Sequence, residues 1–395
     1  MDRTFELEMV DELLDVLANP THELTDRVHE EPTANYTCPE RFVLERERLF
    51  QRMPIAAALS AELPEACSWK LFDETGVPIV LIRGEDEVVR GFLNVCGHRG
   101  ARLVEQPRGT GKRMFCPFHA WSYKPDGSLA GVPAQQAFAG VCREDRALRP
   151  VEVREHLGIV WVVAKPGDTP MDLDAHLGPF AEELAKWDVG SWNYLETRVH
   201  EVPANWKITM DTFTEGYHVP VLHKDSIGAL AAGGLNAYRA FGDHQRQVFA
   251  MKTLEELRGT PREQWNAFDE LRLAFTYDIY PNTTFLMAGD HTEMYQTFPG
   301  ATVDTSVCVH SLFSFEKAET EEQRGNFSTL FDFFFNLVEH EDFRVCAGIQ
   351  KGLGSGAFDT HIYGRNEAMT QAMHLAYDRD LNEYRSRQDL GAGNG

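Results

Sequence analysis

Basic residues are scarce in this chain of 395 residues: 38 Lys and Arg stand against 61 Asp and Glu, a formal net charge of −23. Nucleic acid and anionic membrane surfaces both require clustered cations, and the sequence has no such cluster, so neither is an expected partner. An acidic surface suits docking to a basic redox protein; it equally serves plain solubility. Long apolar runs are missing too, and nothing approaches the ~18 consecutive apolar residues of a transmembrane helix. The stretch from Met1 to Leu17 is acidic and amphipathic, without a basic lead into an apolar run, so no secretory signal is expected. Seven cysteines, an odd number scattered along the chain, do not make a disulfide framework. The expected setting is a reducing cytoplasm.

What is present points to two domains. The length exceeds what one compact core usually takes, and 43% apolar with 11% aromatic residues suffices for sizeable interiors. Leu7, Val10, Leu13, Leu14 and Leu17 recur at helical spacing and predict a helix over Phe5 to Leu17, ended by Asn19-Pro20. From about residue 40 the texture turns to short strand-like runs: Val77 to Ile82, Val88 to Val95, Arg113 to Cys116, and Leu157 to Ala164. Pro125-Asp126-Gly127 is a turn among them, glycine tolerating positive φ. The run Lys165-Pro166-Gly167-Asp168-Thr169-Pro170 reads as a boundary. Beyond it helices (Leu177 to Trp187, from Asn205, Asn326 to Leu353) mix with strands (Phe275 to Met287, Val307 to Phe315). The expected division is a helical segment 1–39 packing on the larger domain, a small all-β domain 40–165, and an α+β domain 166–390.

Two short motifs carry chemistry in the β domain. Cys96-Gly97-His98 and Cys116-Pro117-Phe118-His119 offer two thiolates and two imidazoles. That set suits either tetrahedral zinc or an iron–sulfur cluster with histidines on its second iron. Zinc fingers pair Cys with Cys and His with His, whereas here each loop offers one of each. Two facing loops of this kind can hold a [2Fe–2S] unit with both thiolates on one iron and both imidazoles on the other. The remaining cysteines have no such companions and read as buried free thiols.

A second set lies in the larger domain. His218 and His223 are five residues apart, about 140° on an ideal helix, so they do not share one helical face. Pro220 between them disturbs the helix and can swing them together. Two histidines and one carboxylate form a facial triad that leaves open positions on iron. In the helix predicted over Asn326 to Leu353 the apolar stripe is Phe331, Phe335, Val338, Val345, Cys346 and Ile349. Asp342 projects within roughly 20° of its centre, and Glu339, His340 and Glu341 lie further off. A core-facing carboxylate is costly unless paired or metal-bound, which selects Asp342.

Cys96-Gly97-His98-Arg99-Gly100-Ala101 and Cys116-Pro117-Phe118-His119-Ala120-Trp121-Ser122-Tyr123 resemble the two halves of a Rieske motif, in the form used by ring-hydroxylating oxygenases. Gly97 departs from the family, which usually has a larger residue there. Asn205-Trp206-Lys207, then Glu215, His218 and His223, with Asp342 over a hundred residues on, resemble the catalytic domain of the same family. The resemblance implies a Rieske [2Fe–2S] domain beside a helix-grip, START-like catalytic domain of antiparallel sheet and helices. It makes Cys96, His98, Cys116 and His119 cluster ligands and His218, His223 and Asp342 the ligands of a mononuclear Fe(II). Glu215 matches the acidic residue that bridges one subunit's Rieske histidine to the next subunit's iron histidine; many members have Asp there. Asp211, Thr212 and Val219 match pocket positions, with further lining from Phe275 to Met287.

The activity so implied is oxygenation of a small substrate, aromatic by expectation, with O2. Electrons pass from NAD(P)H through a separate reductase or ferredoxin to the cluster and then to iron. Hydroxylation, cis-dihydroxylation and oxidative dealkylation all remain open, as does a separate β subunit. Transfer between subunits implies a head-to-tail homotrimer. The rival reading is a Rieske ferredoxin that only carries electrons, which leaves some 230 residues after Lys165 and the buried Asp342 without purpose. A structural zinc protein, which would be colourless, is a second rival.

Overall fold

The fold is that of a computed structural model, which describes residues 1–19, 24–165 and 170–392. The chain forms two compact units, one from Arg46–His176 and one from Met1–Glu45 together with Leu177–Gly395. Within the stretch that reads as a boundary, residues 166–169 lie outside the described residues, as does Pro20.

The smaller unit is all-β in its regular sheets. Seven antiparallel strands run in the order Ile55–Leu59, Ile159–Val163, Pro150–His156, Val89–Leu93, Ile79–Arg83, Ser68–Phe72 and Arg108–Thr110. A three-stranded sheet of Met114–Phe115, Ser122–Tyr123 and Leu129–Gly131 accompanies it. Strand Ile159–Val163 is buried along its whole length, which matches its unbroken apolar sequence. The turn after Tyr123 forms as the sequence implies: Gly127 has φ +81, and its N–H donates to the Lys124 carbonyl at 2.9 Å. A Cβ on Gly127 would come within 2.4 Å of the Phe92 ring, so this glycine serves packing as well as backbone freedom.

The larger unit is built on a second antiparallel sheet, ordered Asn193–Val202, Ser306–Ser314, His291–Pro299, Thr283–Ala288, Leu273–Ile279, His244–Met251, Ala231–Phe241. Phe275 to Met287 is therefore a hairpin of two strands rather than one run, paired from Phe275↔Met287 to Ile279↔Thr283. Helix Trp206–Asp211 packs on this sheet, capped by Asn205, whose side chain accepts from the Lys207 N–H at 3.1 Å. The N-terminal helix Arg3–Ala18 packs on the two strands at the far edge, burying Phe5, Met9, Val10, Leu13 and Leu14. Strand His29–Pro32 pairs with Thr360–Tyr363 near the other end of the chain. Leu177 to Trp187 holds a short helix, Phe180–Ala185, with a separate short helix Leu173–Leu177 before it, because Gly178-Pro179 interrupts the run.

The expected helix from Asn326 to Leu353 begins earlier and is not uniform. Glu321–Leu337 is α-helical, Val338–Asp342 is a π-helical turn, and Phe343–Leu353 is α-helical again. The start is fixed by a reciprocal cap between Thr320 and Gln323. The wide turn inserts one extra residue into the helical period, so that Leu337, Val338, Asp342, Phe343 and Cys346 face inward and Ile349 is exposed. Among the described residues no helix is long and apolar enough to cross a membrane.

Candidate metal centres

In the smaller unit Cys96 and Cys116 are buried at the ends of two loops that follow strands Val89–Leu93 and Met114–Phe115. The loops have the same backbone closure. The Cys96 N–H donates to the Ala101 carbonyl and the Gly100 N–H to the Cys96 carbonyl; the Cys116 N–H donates to Trp121 and the Ala120 N–H to Cys116. Gly100 (φ +77) and Ala120 (φ +56) make the corresponding left-handed corners. The His98 and His119 rings stand 4.7 Å apart at 70°. Their Nδ1 atoms are buried and have no hydrogen-bond partner among the described residues. Two inward thiols and two inward, unpartnered imidazole nitrogens fit a mixed-ligand [2Fe–2S] cluster.

Surrounding groups hold this cradle. Trp121 stacks on His98 at 4.8 Å and 6°. Tyr123 places its hydroxyl 3.5 Å from Cys96 Sγ and accepts from the Gly97 N–H at 2.8 Å. Burial pushes the Cys96 thiol up, so charge there calls for a cation. The departure at Gly97 has a structural cause: a Cβ would approach the Arg146 carbonyl oxygen to 2.7 Å. Phe115 and Phe118 beside the loop are 59% and 58% exposed, an apolar rim at the histidine edge.

In the larger unit His218, His223 and Asp342 converge, one ligand atom from each lying within 4.8 Å of the others. His218 and His223 flank a single helical turn, Val219–Leu222, with Pro220 inside it, which points both rings toward one centre. Nε2 of His218 and Nε2 of His223 are 3.5 and 3.3 Å from the same Asp342 oxygen. Each histidine is oriented from behind by a carboxylate. Glu215 Oε1 is hydrogen bonded to His218 Nδ1, and Glu341 Oε2 lies 2.7 Å from His223 Nδ1 and also accepts from the Ser226 hydroxyl. Burial pulls the His223 pKa down, but Asp342 and Glu341 together bring it above its usual value. Carboxylate–histidine pairs of this kind fix the tautomer and leave Nε2 free for a divalent metal.

The three groups open into a cavity of about 200 Å³. Thr212 and Val219 line it, with Phe213, Phe249, Leu286, Met287, Tyr295 and Phe334. Asp211, expected beside them, turns away. Its carboxylate takes the Tyr363 hydroxyl at 2.7 Å and the His374 ring at 2.8 Å, partners supplied by chain segments more than 150 residues on. Sequence reasoning also passed over Glu341, which lay off the helix face computed for an undistorted α-helix, and over Glu293, a buried carboxylate on the cavity wall. Glu293 sits on strand His291–Pro299, which is buried along its whole length and mixes polar with apolar residues, so nothing local marks which polar residue matters.

Comparison with known proteins gives a family match in each half of the chain. Residues 189–383 match the ring hydroxylating alpha subunit (catalytic domain) family and residues 54–152 the Rieske [2Fe-2S] domain family. The carnitine monooxygenase oxygenase subunit of Escherichia coli K12 is 28% identical over 333 residues, 83% of this chain and 85% of that one. The 2-aminobenzenesulfonate 2,3-dioxygenase subunit alpha of an Alcaligenes species is 32% identical over 206 residues, half of this chain and 49% of that one. A crystal structure of a quaternary ammonium Rieske monooxygenase with L-carnitine superposes with a TM-score of 0.74 at 23% identity, over 92% of this chain and 97% of that one.

Proposed function

This chain belongs to the Rieske non-haem iron oxygenase α subunits, and on that premise we propose which of its residues perform the oxygenase reaction and on what. The family activity uses O2 and electrons from a reductase partner, with a [2Fe–2S] cluster and a mononuclear iron. Cys96, His98, Cys116 and His119 would hold the cluster, and His218, His223 and Asp342 the iron. The observation that carries the assignment is the convergence of those last three groups at the mouth of an apolar cavity. A metal bound there supplies O2 activation. The protein's own part is to seat the substrate, exclude water and fix both imidazoles through Glu215 and Glu341.

The family's subunits oligomerise, and we infer a head-to-tail homotrimer in which Glu215 links His218 to a Rieske histidine of the neighbouring subunit. Supporting this, Glu215 already engages the Nδ1 side of His218, away from Asp342. The cavity lining of aromatic rings and methionines suits a substrate that presents an apolar or N-methylated carbon to the iron. The aromatic substrate expected from sequence is therefore widened to include N-methyl ammonium compounds, the class acted on by the carnitine and glycine betaine monooxygenase relatives.

The deciding experiment combines iron content with anaerobic binding to the reduced protein. About three irons per chain fit the oxygenase and about two a pure carrier. Carnitine, glycine betaine and a set of simple aromatic acids serve as binding probes. Two irons, or absence of binding by every probe, would refute the assignment of site or substrate class respectively.

A further inference from the structure

Monooxygenation of a C–H bond takes one O2, two electrons and two protons, and yields the hydroxylated product and water. The reductase supplies the electrons. The protons have to enter a cavity walled mainly by aliphatic and aromatic side chains, which oppose an unescorted charge. Three carboxylates line that cavity: Asp342 faces the two histidines, Glu215 is bonded to His218, and Glu293 remains.

Glu293 is the inner end of a set of titratable side chains made of two hydrogen-bonded pairs, Glu339–His200 and His310–Glu293, whose imidazole rings stack without a hydrogen bond between them. It is 2% exposed, and its Oε2 accepts from His310 Nε2 at 3.1 Å and from the Tyr295 hydroxyl. The His310 ring lies 5.8 Å from that of His200, the two inclined by only 21°. His200 Nδ1 in turn is 2.6 Å from Glu339 Oε2, and the Glu339 side chain is 42% exposed. Each imidazole thus binds a carboxylate through one nitrogen. The other nitrogen, Nε2 of His200 and Nδ1 of His310, is buried without a partner among the described residues. Two such orphans on stacked rings are unfavourable in a purely structural pair. Phe331, Phe335 and Phe343 pack around the two rings and keep the passage narrow.

We propose that Glu339, His200, His310 and Glu293 form a proton path from the protein surface to the iron cavity, with Glu293 as the group that delivers into it. The proposal rests on the oxygenase reading above, because it needs oxygen to be reduced in this cavity. An imidazole conducts by taking a proton on one nitrogen and releasing one from the other. His310 passes its Nε2 proton to Glu293 and is reloaded at Nδ1 from His200 Nε2; His200 is reloaded at Nδ1 from Glu339, which equilibrates with solvent. One proton crosses and each imidazole is left as its other tautomer, so a turn of both rings restores the starting state before the next crossing. Burial, outweighing the Glu339 contact, brings His200 down to about 4, so it is neutral between transfers and does not trap the proton.

The test follows the Glu293 carboxyl group in the holoenzyme by infrared difference spectroscopy between oxidised and dithionite-reduced states. A protonated-carboxyl band is expected that is absent from Glu293→Gln and shifts on transfer to D2O. The rate of that shift should fall about tenfold or more in Glu339→Gln and in His200→Phe. Glu339 is partly exposed, so its variant leaves folding intact, and phenylalanine fills the His200 slot. His291→Phe is the control for a rival entrance, because His291 also lines the cavity and pairs with the exposed Asp290. Unchanged deuteration in both path variants, slowing by His291→Phe alone, or no Glu293-dependent band would each overturn the path. Iron content and the cluster spectrum, measured on the same samples, separate these outcomes from failure of the oxygenase reading itself.

Discussion

Glu341 and Asp342, consecutive in the chain, grip the same ring from opposite sides: His223 Nδ1 lies 2.7 Å from Glu341, and His223 Nε2 lies 3.3 Å from Asp342. An ideal α-helix splays adjacent residues by about 100°. The π-helical turn Val338–Asp342 brings both carboxylates to one histidine. If Glu341 orients His223, then Glu341→Gln should weaken binding of the mononuclear iron on the order of 10–100-fold and spare the cluster. Iron affinity measured by competition with a chelator reads this, and an unchanged affinity would remove Glu341 from the site.

Asp342→Ala should abolish mononuclear iron binding while the cluster absorbance persists, because the two centres share no residue. Glu339→Ala should keep both, since its carboxylate serves His200 rather than His218 or His223. Metal analysis of the two variants suffices. Loss of iron from the Glu339 variant with retention in the Asp342 variant would reverse the assignment.

The purified protein should be red-brown. Replacing His98 or His119 by Cys adds negative charge at the cluster, so the reduction potential should drop or the cluster be lost. Protein-film voltammetry of each variant measures it. A colourless protein that retains zinc after anaerobic iron reconstitution would contradict the cluster.

Glu215→Gln should leave both metals bound and substrate affinity nearly unchanged while turnover falls severely. A carboxamide fills the same space but cannot accept from two imidazole N–H groups as a carboxylate does. Mixed with Cys96→Ala subunits, it should regain part of the activity, because such a ring contains interfaces where an intact cluster meets an intact Glu215. Demonstrated subunit exchange without recovery would exclude transfer between subunits.

Stability should have two pH limbs set by one buried triad. Burial alone would lower His374, but Asp211 at 2.8 Å and Glu31 at 3.7 Å hold it at about 9, against 6.5 unfolded. A raised histidine stabilises fully below its unfolded value, and that contribution disappears as pH rises from about 6.5 through 9. Glu31 goes the other way. Burial raises it, yet His374 with the Asn35 and His29 hydrogen bonds brings it to about 2, so its contribution is lost as pH falls from 4.5 toward 2. Urea midpoints across pH for the wild type and His374→Gln should show the alkaline limb flattened in the variant. Parallel curves would mean that His374 is not charged in the folded state.

Proline, glycine and closely spaced ligand residues act over a few bonds, and what depends on them was legible from sequence alone. The two Cys/His loops, the Gly127 turn and the single turn between His218 and His223 are of this kind. Asp342 could also be singled out, because an isolated acid on an apolar stripe is costly wherever the helix packs. Tertiary structure decided what depends on distant chain or on departure from ideal periodicity. The π-helical turn enlisted Glu341, which the 3.6-residue period had placed off the face. Asp211 left the cavity because Tyr363 and His374 offered its charge better partners. The sequence placed His310 in a strand but gave no sign of the strands that carry Glu293 and His200, nor of which side chains would meet, since strand pairing and the helix laid over it set those distances. A carboxylate or imidazole is identified locally by its chemistry. Its task is fixed by whatever the fold brings within about 3 Å of it.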